Sequence, residues 1–127
     1  MRATVLSLCF FLSLGAPFLG VLKAQQGNVQ AGAKLHQQEC VRCHGADGKG
    51  SGPAGKLLKV KPADWTDPTR MAALSDDHLL TVIKQGGKVA GLSTQMPNFG
   101  SKLSDPKIRD LIAFIKSLRA EAPVPAP

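Results

Sequence analysis

The chain has 127 residues, which is enough for one domain and too few for two. Apolar residues make up 43% and charged residues 20%, so the composition excludes wholesale disorder. The net charge of +7 is spread along the chain, and no basic run contains interleaved aromatics, which argues against nucleic-acid binding. Aromatic residues make up only 5% of the chain, although they normally supply much of a core. Such a small domain is therefore expected to need something else in its interior.

The N-terminal segment is typical of a secretory signal peptide. Arg2 gives a positive start, residues 5–22 are mainly apolar, and the sequence turns polar after Ala24. We predict cleavage after Ala24, so that residues 1–24 are absent from a chain exported to the periplasm. The alternative is an uncleaved membrane anchor, although the apolar run is at the short end for a spanning helix.

Apolar residues recur at helical spacing in three segments of the next hundred residues. The first predicted helix covers residues 29–40 and has Asn28 as its N-cap. The second predicted helix covers residues 76–85, begins after Ser75 as its N-cap and ends at Gly86.

A third predicted helix has the most regular pattern. Asp105 is expected to cap it, and Pro106 is expected to occupy its first position. Its apolar face contains Ile108, Leu111, Ile112, Ile115 and Leu118.

The segments between the predicted helices are rich in glycine and proline, and none of them alternates as a strand does. The sequence therefore predicts one all-α domain over residues 25–120, with three main helices and long loops. Loops of this length in so small a domain need a body to pack on. Residues 121–127 contain alternating prolines and are predicted to form a loose tail.

Residues 40–44 form a C-x-x-C-H sequence, which is the attachment motif of a c-type haem. Two thiols on one helical turn can add to the two vinyl groups at one edge of a haem, and the adjacent His44 then supplies an imidazole to the iron. We therefore predict one haem c, bound covalently through Cys40 and Cys43. Long loops would pack on it, and it would supply the apolar bulk that aromatic residues usually provide.

Other uses of the two cysteines remain open at this point. They could form a thiol redox pair, a simple disulfide, or a zinc site completed by His36 or His78. The redox reading is weakened by the absence of a predicted βαβ scaffold.

The motif supplies one protein ligand to the iron of a haem c, and the second ligand has to come from elsewhere in the chain. Met96 is the predicted ligand, because Pro97 keeps it out of a regular helix and its loop could reach the opposite face. Met71 is interpreted as a core residue, His78 as solvent-facing, and His36 as lying on the side of His44. An open position is the alternative, and it would suit a haem enzyme or gas sensor.

The chain resembles the class I c-type cytochromes over nearly all of residues 25–120. Residues 31–36 are similar to the family's first helix, residues 111–115 to its last helix, and residues 95–100 to its Met-Pro loop. The resemblance implies that Gly32 packs near Phe114. His36 stands where the family usually has an aromatic residue, which is expected to weaken the contact between the helices.

The resemblance also implies roles for two further residues. The carbonyl of Pro53 would accept a hydrogen bond from His44 and so orient the imidazole. Trp65 is expected either to approach a haem propionate through its indole N–H or to pack at the ring edge.

These features predict a monomeric periplasmic carrier that passes single electrons between redox proteins and is not itself an enzyme. The alternative within the same fold is the cytochrome c subunit of a larger dehydrogenase or oxidase. Loss of Arg2 and Lys23 with the signal would leave a net charge of +5, which favours a partner with an acidic docking face. The candidate docking residues, unless they are only solvated surface, are Lys56, Lys59, Lys61, Lys88 and Lys102.

Overall fold

The computed structural model describes residues 27–120, so the predicted signal peptide at 1–24 and the predicted tail at 121–127 lie outside the described residues. Within 27–120 the chain is helical and contains no strand, which confirms the predicted all-α class. No helix in that range combines the length and the apolar character needed to cross a membrane. The α-helices are α1 (Val29–Leu35), α2 (Val41–His44), α3 (Pro68–Ala72), α4 (Asp76–Gln85) and α5 (Asp105–Ala120).

Helix α4 has the bounds that the sequence predicted. The hydroxyl of Ser75 accepts a hydrogen bond from the backbone N–H of His78 at 3.1 Å, which caps the first turn. The helix ends at Gly86, whose φ of 86° is a conformation that favours glycine.

Helix α5 begins at Asp105, so Asp105 is its first residue rather than its cap, and Pro106 lies one place further into the first turn. The N-cap position belongs to Ser104, whose carbonyl accepts a hydrogen bond from the N–H of Ile108 at 3.0 Å. The sequence prediction was therefore displaced by one residue.

The first predicted helix is longer and less regular than expected. Asn28 caps it as predicted, since its side chain accepts a hydrogen bond from the N–H of Ala31 at 3.0 Å. After α1 the chain continues through a π-helical turn (His36–Cys40) directly into α2. π-turns are uncommon and are often found at functional sites, and this one immediately precedes the C-x-x-C-H sequence.

Short helical pieces interrupt two of the predicted loops. Helix α3 begins after Asp67, whose carboxylate accepts hydrogen bonds from the N–H groups of Thr69 and Arg70. Pro68 occupies its first position, as the geometry of a helix start permits. A single 3₁₀ turn covers Gly55–Leu57.

Helices α1 and α5 cross at close range at Gly32, which confirms the predicted contact with Phe114. A Cβ atom added at Gly32 would lie 2.8 Å from the Cβ of Phe114 and would also strike the backbone carbonyl of Asp110. Only a glycine lets the two helix backbones approach this closely.

The hydrophobic core is built mainly from one face of α5. Trp65 and Phe99 are its buried aromatic residues, at 6% and 8% exposure, and Phe114 packs against its margin. Cys40 belongs to the same buried cluster, so the C-x-x-C-H segment is part of the core. The residues that α5 buries are Ile108, Leu111, Ile112 and Ile115.

Substitution of Gly32 by alanine should separate α1 from α5. We expect Gly32→Ala to reduce the free energy of unfolding by about 2–3 kcal/mol, because the added methyl group meets backbone that cannot move independently. Chemical denaturation measures this loss. The control is Gln30→Ala, an exposed position on the same helix, which should change stability little. Unchanged stability of Gly32→Ala would contradict the close crossing.

Candidate haem-binding site

The glycine-rich loop 45–55 folds back over the carbonyl end of α2. The N–H of Gly50 donates to the carbonyl of His44 at 2.8 Å, and the N–H of Ala54 donates to the carbonyl of Arg42 at 3.0 Å. A Cβ atom at Gly52 would collide with the backbone carbonyls of residues 41 and 42. The loop therefore holds the backbone of the C-x-x-C-H segment at a fixed position.

Cys40 and Cys43 are both free thiols, one buried and one half-buried. Burial, together with the charge of Glu39 and the neighbouring Cys43, raises the pKa of the Cys40 thiol to about 12. A redox-active cysteine needs an accessible thiolate, which this environment disfavours. Within residues 27–120 no group of three His, Cys, Asp or Glu side chains is arranged to hold a metal ion. The geometry thus gives no support to the redox-pair, disulfide and zinc alternatives.

The imidazole of His44 lies against the indole of Trp65. The ring centroids are 4.1 Å apart and the planes are inclined by 18°, which is a stacked arrangement. Burial, and secondarily the nearby His36, lowers the pKa of His44 to about 4, so the ring is neutral at pH 7, as ligation of a metal requires. Its Nδ1 atom is buried and has no hydrogen-bond partner.

His36 is fully buried where α1 meets α5, although neither of its ring nitrogens has a hydrogen-bond partner. Its ring lies 5.0 Å from that of Phe114, tilted by 40°, and 5.6 Å from that of Trp65, in an edge-on arrangement. His36 therefore occupies the position expected for an aromatic residue and makes ring contacts there. The rings of His36 and His44 both contact the indole of Trp65.

Burial of His36 should make stability dependent on pH. Desolvation lowers the pKa of His36 below 6.5 in the folded protein, whereas the unfolded chain keeps the ordinary value. The unfolded state therefore binds the proton more tightly, and stability is lost as pH falls below about 6.5.

We expect His36→Phe to reduce the loss of unfolding free energy between pH 7 and pH 5. A single histidine can contribute at most about 1.4 kcal/mol per pH unit to that loss. Urea denaturation at the two pH values measures the difference. His78→Phe is the control, because His78 is exposed. An equally steep fall in His36→Phe and the unaltered protein would argue against this assignment.

Met96 lies in a loop that is tied to the end of α4. The carbonyl of Met96 accepts a hydrogen bond from the N–H of Gly87 at 3.1 Å, and the N–H of Phe99 donates to the carbonyl of Ile83 at 3.0 Å. The half-buried side chain of Met96 packs against the cluster that contains Cys40 and Trp65.

The other two candidate ligands lie where the sequence placed them. Met71 is 3% exposed and belongs to the core, and His78 is exposed on α4. Both sequence interpretations are confirmed.

Pro53 is exposed, between Gly52 and Ala54, in the loop that covers the carbonyl end of α2. No hydrogen bond joins its carbonyl to His44 among the described residues. The role assigned to Pro53 therefore stays a prediction. The sequence did not indicate the stacking of Trp65 on His44, because no local pattern links residues 21 positions apart.

The chemistry of these side chains fits a covalently bound haem. Two thiols lie one helical turn apart, and the next residue is a neutral imidazole with a buried, unpartnered Nδ1. The thioether of Met96 belongs to a different segment but packs against the same cluster. A soft sulfur donor and an imidazole are a ligand pair that haem iron takes in cytochromes c.

One of the lysines proposed for docking forms an ion pair with the π-turn that precedes the C-x-x-C-H sequence. Lys102, which follows the Met96 loop, lies 3.5 Å from the carboxylate of Glu39 in the π-turn. The other lysines proposed for docking are exposed. Leu57 and Val60, which alternate with Lys56, Lys59 and Lys61, are also largely exposed, at 87% and 60%.

Comparison with known proteins gives three consistent results. The family described as "Cytochrome C oxidase, cbb3-type, subunit III" matches residues 27–115. The gluconate 2-dehydrogenase cytochrome c subunit of Pantoea cypripedii is 26% identical over 92 residues, which are 68% of this chain and 20% of that protein. The chain thus spans about a fifth of that relative. The solved structure of the KustC0563 c-type cytochrome, also 26% identical, has a TM-score of 0.57 and is matched over 68% of this chain and 95% of its own.

The family match covers well over half of the chain, and the solved structure has the same kind of helical fold. The predicted class, a small all-α cytochrome with an electron-transfer role, is confirmed. This chain belongs to the class I c-type cytochromes, in the cytochrome c family described by the cbb3-type subunit III domain.

Proposed function

We propose that this cytochrome carries one haem c, bound through thioether bonds to Cys40 and Cys43, with His44 and Met96 as its iron ligands. The observation that carries the proposal is the position of the C-x-x-C-H segment: its cysteine belongs to the buried cluster against which Met96 packs. When bound, the haem supplies an iron that changes between the ferric and ferrous states by one electron.

The chain prepares His44 for this role in two ways. The environment keeps the imidazole neutral, and the hydrogen bond from Gly50 fixes the carbonyl of the same residue. We further propose that Nδ1–H of His44 donates a hydrogen bond to the carbonyl of Pro53 in the haem-bound protein, since that buried nitrogen otherwise has no partner.

If His44 and Met96 both held the iron, no position would be left for a substrate, and the favoured function is outer-sphere transfer of single electrons. The protein is exported, works in the periplasm and is monomeric. The docking surface contains the exposed lysines 56, 59 and 61 with Leu57 and Val60 among them, and it suits an acidic redox partner. Transient redox complexes use small interfaces of this kind.

A second candidate function is supported by one comparison. The printed name of the Pantoea cypripedii relative describes a cytochrome c subunit of a dehydrogenase. The present chain in the same role would accept electrons from a catalytic subunit and pass them on. Stable co-purification of the tagged chain with a dehydrogenase or oxidase subunit favours this function, whereas purification alone favours the free carrier.

The purified protein tests the carrier function directly. A redox titration should show one reversible one-electron step, and the reduced protein should not bind carbon monoxide, because no axial position is open. The rate of electron exchange with an acidic redox protein should fall as the ionic strength rises. Rapid binding of carbon monoxide would instead favour the enzyme or sensor alternative.

A further inference from the structure

One ring in the core contacts the proposed iron ligand on its face. The indole of Trp65 lies 4.1 Å from the imidazole of His44, with only 18° between the planes. Trp65 is 6% exposed, so the indole excludes water from that face of the imidazole. Neither the family match nor the relatives assign a role to this residue.

The backbone around Trp65 is held by several hydrogen bonds. Its N–H donates to the carbonyl of Gly48 at 2.9 Å. On either side of it, the carboxylate of Asp64 accepts hydrogen bonds from the N–H and the hydroxyl of Thr66, at 2.8 and 2.7 Å. These bonds fix the chain direction at the residue that presents the indole.

The indole itself is enclosed on its other sides. A Cβ atom at Gly48 would lie 3.1 Å from Cε3 of Trp65 and 2.7 Å from a methyl group of Leu118, so the indole has no room to move toward that loop. The ring of His36 approaches edge-on at 5.6 Å, with 64° between the planes. His36 is in turn in contact with Phe114 of α5, whose ring pairs with neither Trp65 nor His44 among the described residues.

We propose that Trp65 is a positioning residue for His44: the immobilised indole sets the plane of the imidazole and shields it from water. A hydrogen bond from Nδ1 fixes the direction in which an axial histidine points, whereas a stacked ring restricts its rotation about that direction. The shielding also favours the ferrous state, because the ferric state carries one more positive charge and gains more from nearby water. The inference rests on the proposed role of His44 as an iron ligand.

The test compares three variants of the holoprotein: Trp65→Leu, Trp65→Phe and Phe114→Leu. In Trp65→Leu we expect the equilibrium constant for reduction to fall about tenfold, which is a decrease of about 59 mV for one electron. The hyperfine-shifted NMR resonances of the ferric His44 imidazole should move as well. Trp65→Phe keeps an aromatic ring on the imidazole and should restore most of both properties.

Phe114→Leu is the matched control, because it removes an aromatic ring that contacts His36 and is not paired with His44. It should reduce stability and leave the potential and the imidazole resonances unchanged. A folded Trp65→Leu holoprotein with unaltered potential and imidazole resonances would overturn the proposal and reduce Trp65 to a packing residue.

The unmutated protein gives a second test that does not depend on folding of a variant. In the diamagnetic ferrous state, stacking at 4.1 Å predicts nuclear Overhauser contacts between the Trp65 indole and the His44 imidazole. Their absence would also overturn the proposal. If His44 is not an iron ligand, its imidazole resonances will show no hyperfine shift in the ferric state, and the proposed function fails as well. If the resonances are shifted but the contacts with Trp65 are absent, only the positioning role of Trp65 fails.

Discussion

A variant carrying both Cys40→Ala and Cys43→Ala, produced in a host that attaches haem, is expected to lose its cooperative fold. The described core has only two buried aromatic residues, Trp65 and Phe99, and its loops need a body to pack on. In small domains that depend on a bound group, the free energy of binding is also the free energy of folding. The chain without haem should therefore show low helicity and no sharp unfolding transition.

Circular dichroism and thermal unfolding measure this loss. The matched control is Arg42→Ala, an exposed residue between the two cysteines, which should keep both haem and cooperative unfolding. A haem-free double variant that unfolded cooperatively at near-normal stability would show that the polypeptide core is sufficient, contrary to this account.

The second large effect is expected from Met96→Ala. Loss of the thioether removes the ligand that favours the ferrous state, so the reduction potential should fall by on the order of 0.2 V, within the range of about 0.8 V that axial ligands command. The ferric sulfur-to-iron charge-transfer band should disappear at the same time. Visible spectroscopy and a redox titration measure both changes.

Met71→Ala provides the control for this experiment, since Met71 is the other described methionine and is buried in the core. It should cost about 2–5 kcal/mol of stability and leave the charge-transfer band in place. Survival of the band in Met96→Ala, or its loss in Met71→Ala alone, would exclude Met96 as the ligand.

The sequence predicted the elements whose ends are specified by local chemistry. Ser75 and Gly86 bound α4 correctly, because a side-chain cap and a glycine with positive φ act over a few residues. Helix α3 was missed, although Asp67 followed by Pro68 is a recognisable start signal; its five residues are too few for apolar periodicity to show. The π-turn before Cys40 was also missed, because a search with a period of 3.6 residues cannot detect an added residue.

In the candidate site, too, the residues that a local motif specifies were predicted, and the contacts between distant segments were not. The C-x-x-C-H spacing identified Cys40, Cys43 and His44, since the chemistry of attachment requires all three within one turn. The stacking of Trp65 on His44 and the burial of His36 depend on the crossing of distant segments, and only the folded chain brings these rings together. The sequence signal available for them was the unusual His36 at an aromatic position, which the structure explains through its contacts with Trp65 and Phe114.

The most direct test of the account is the intact mass of the denatured protein after production in a host that attaches haem. The denatured chain should be heavier by the mass of one haem, with the added mass on the peptide that contains residues 40–44. A chain of unmodified mass, or one whose added mass lies on another peptide, would contradict it.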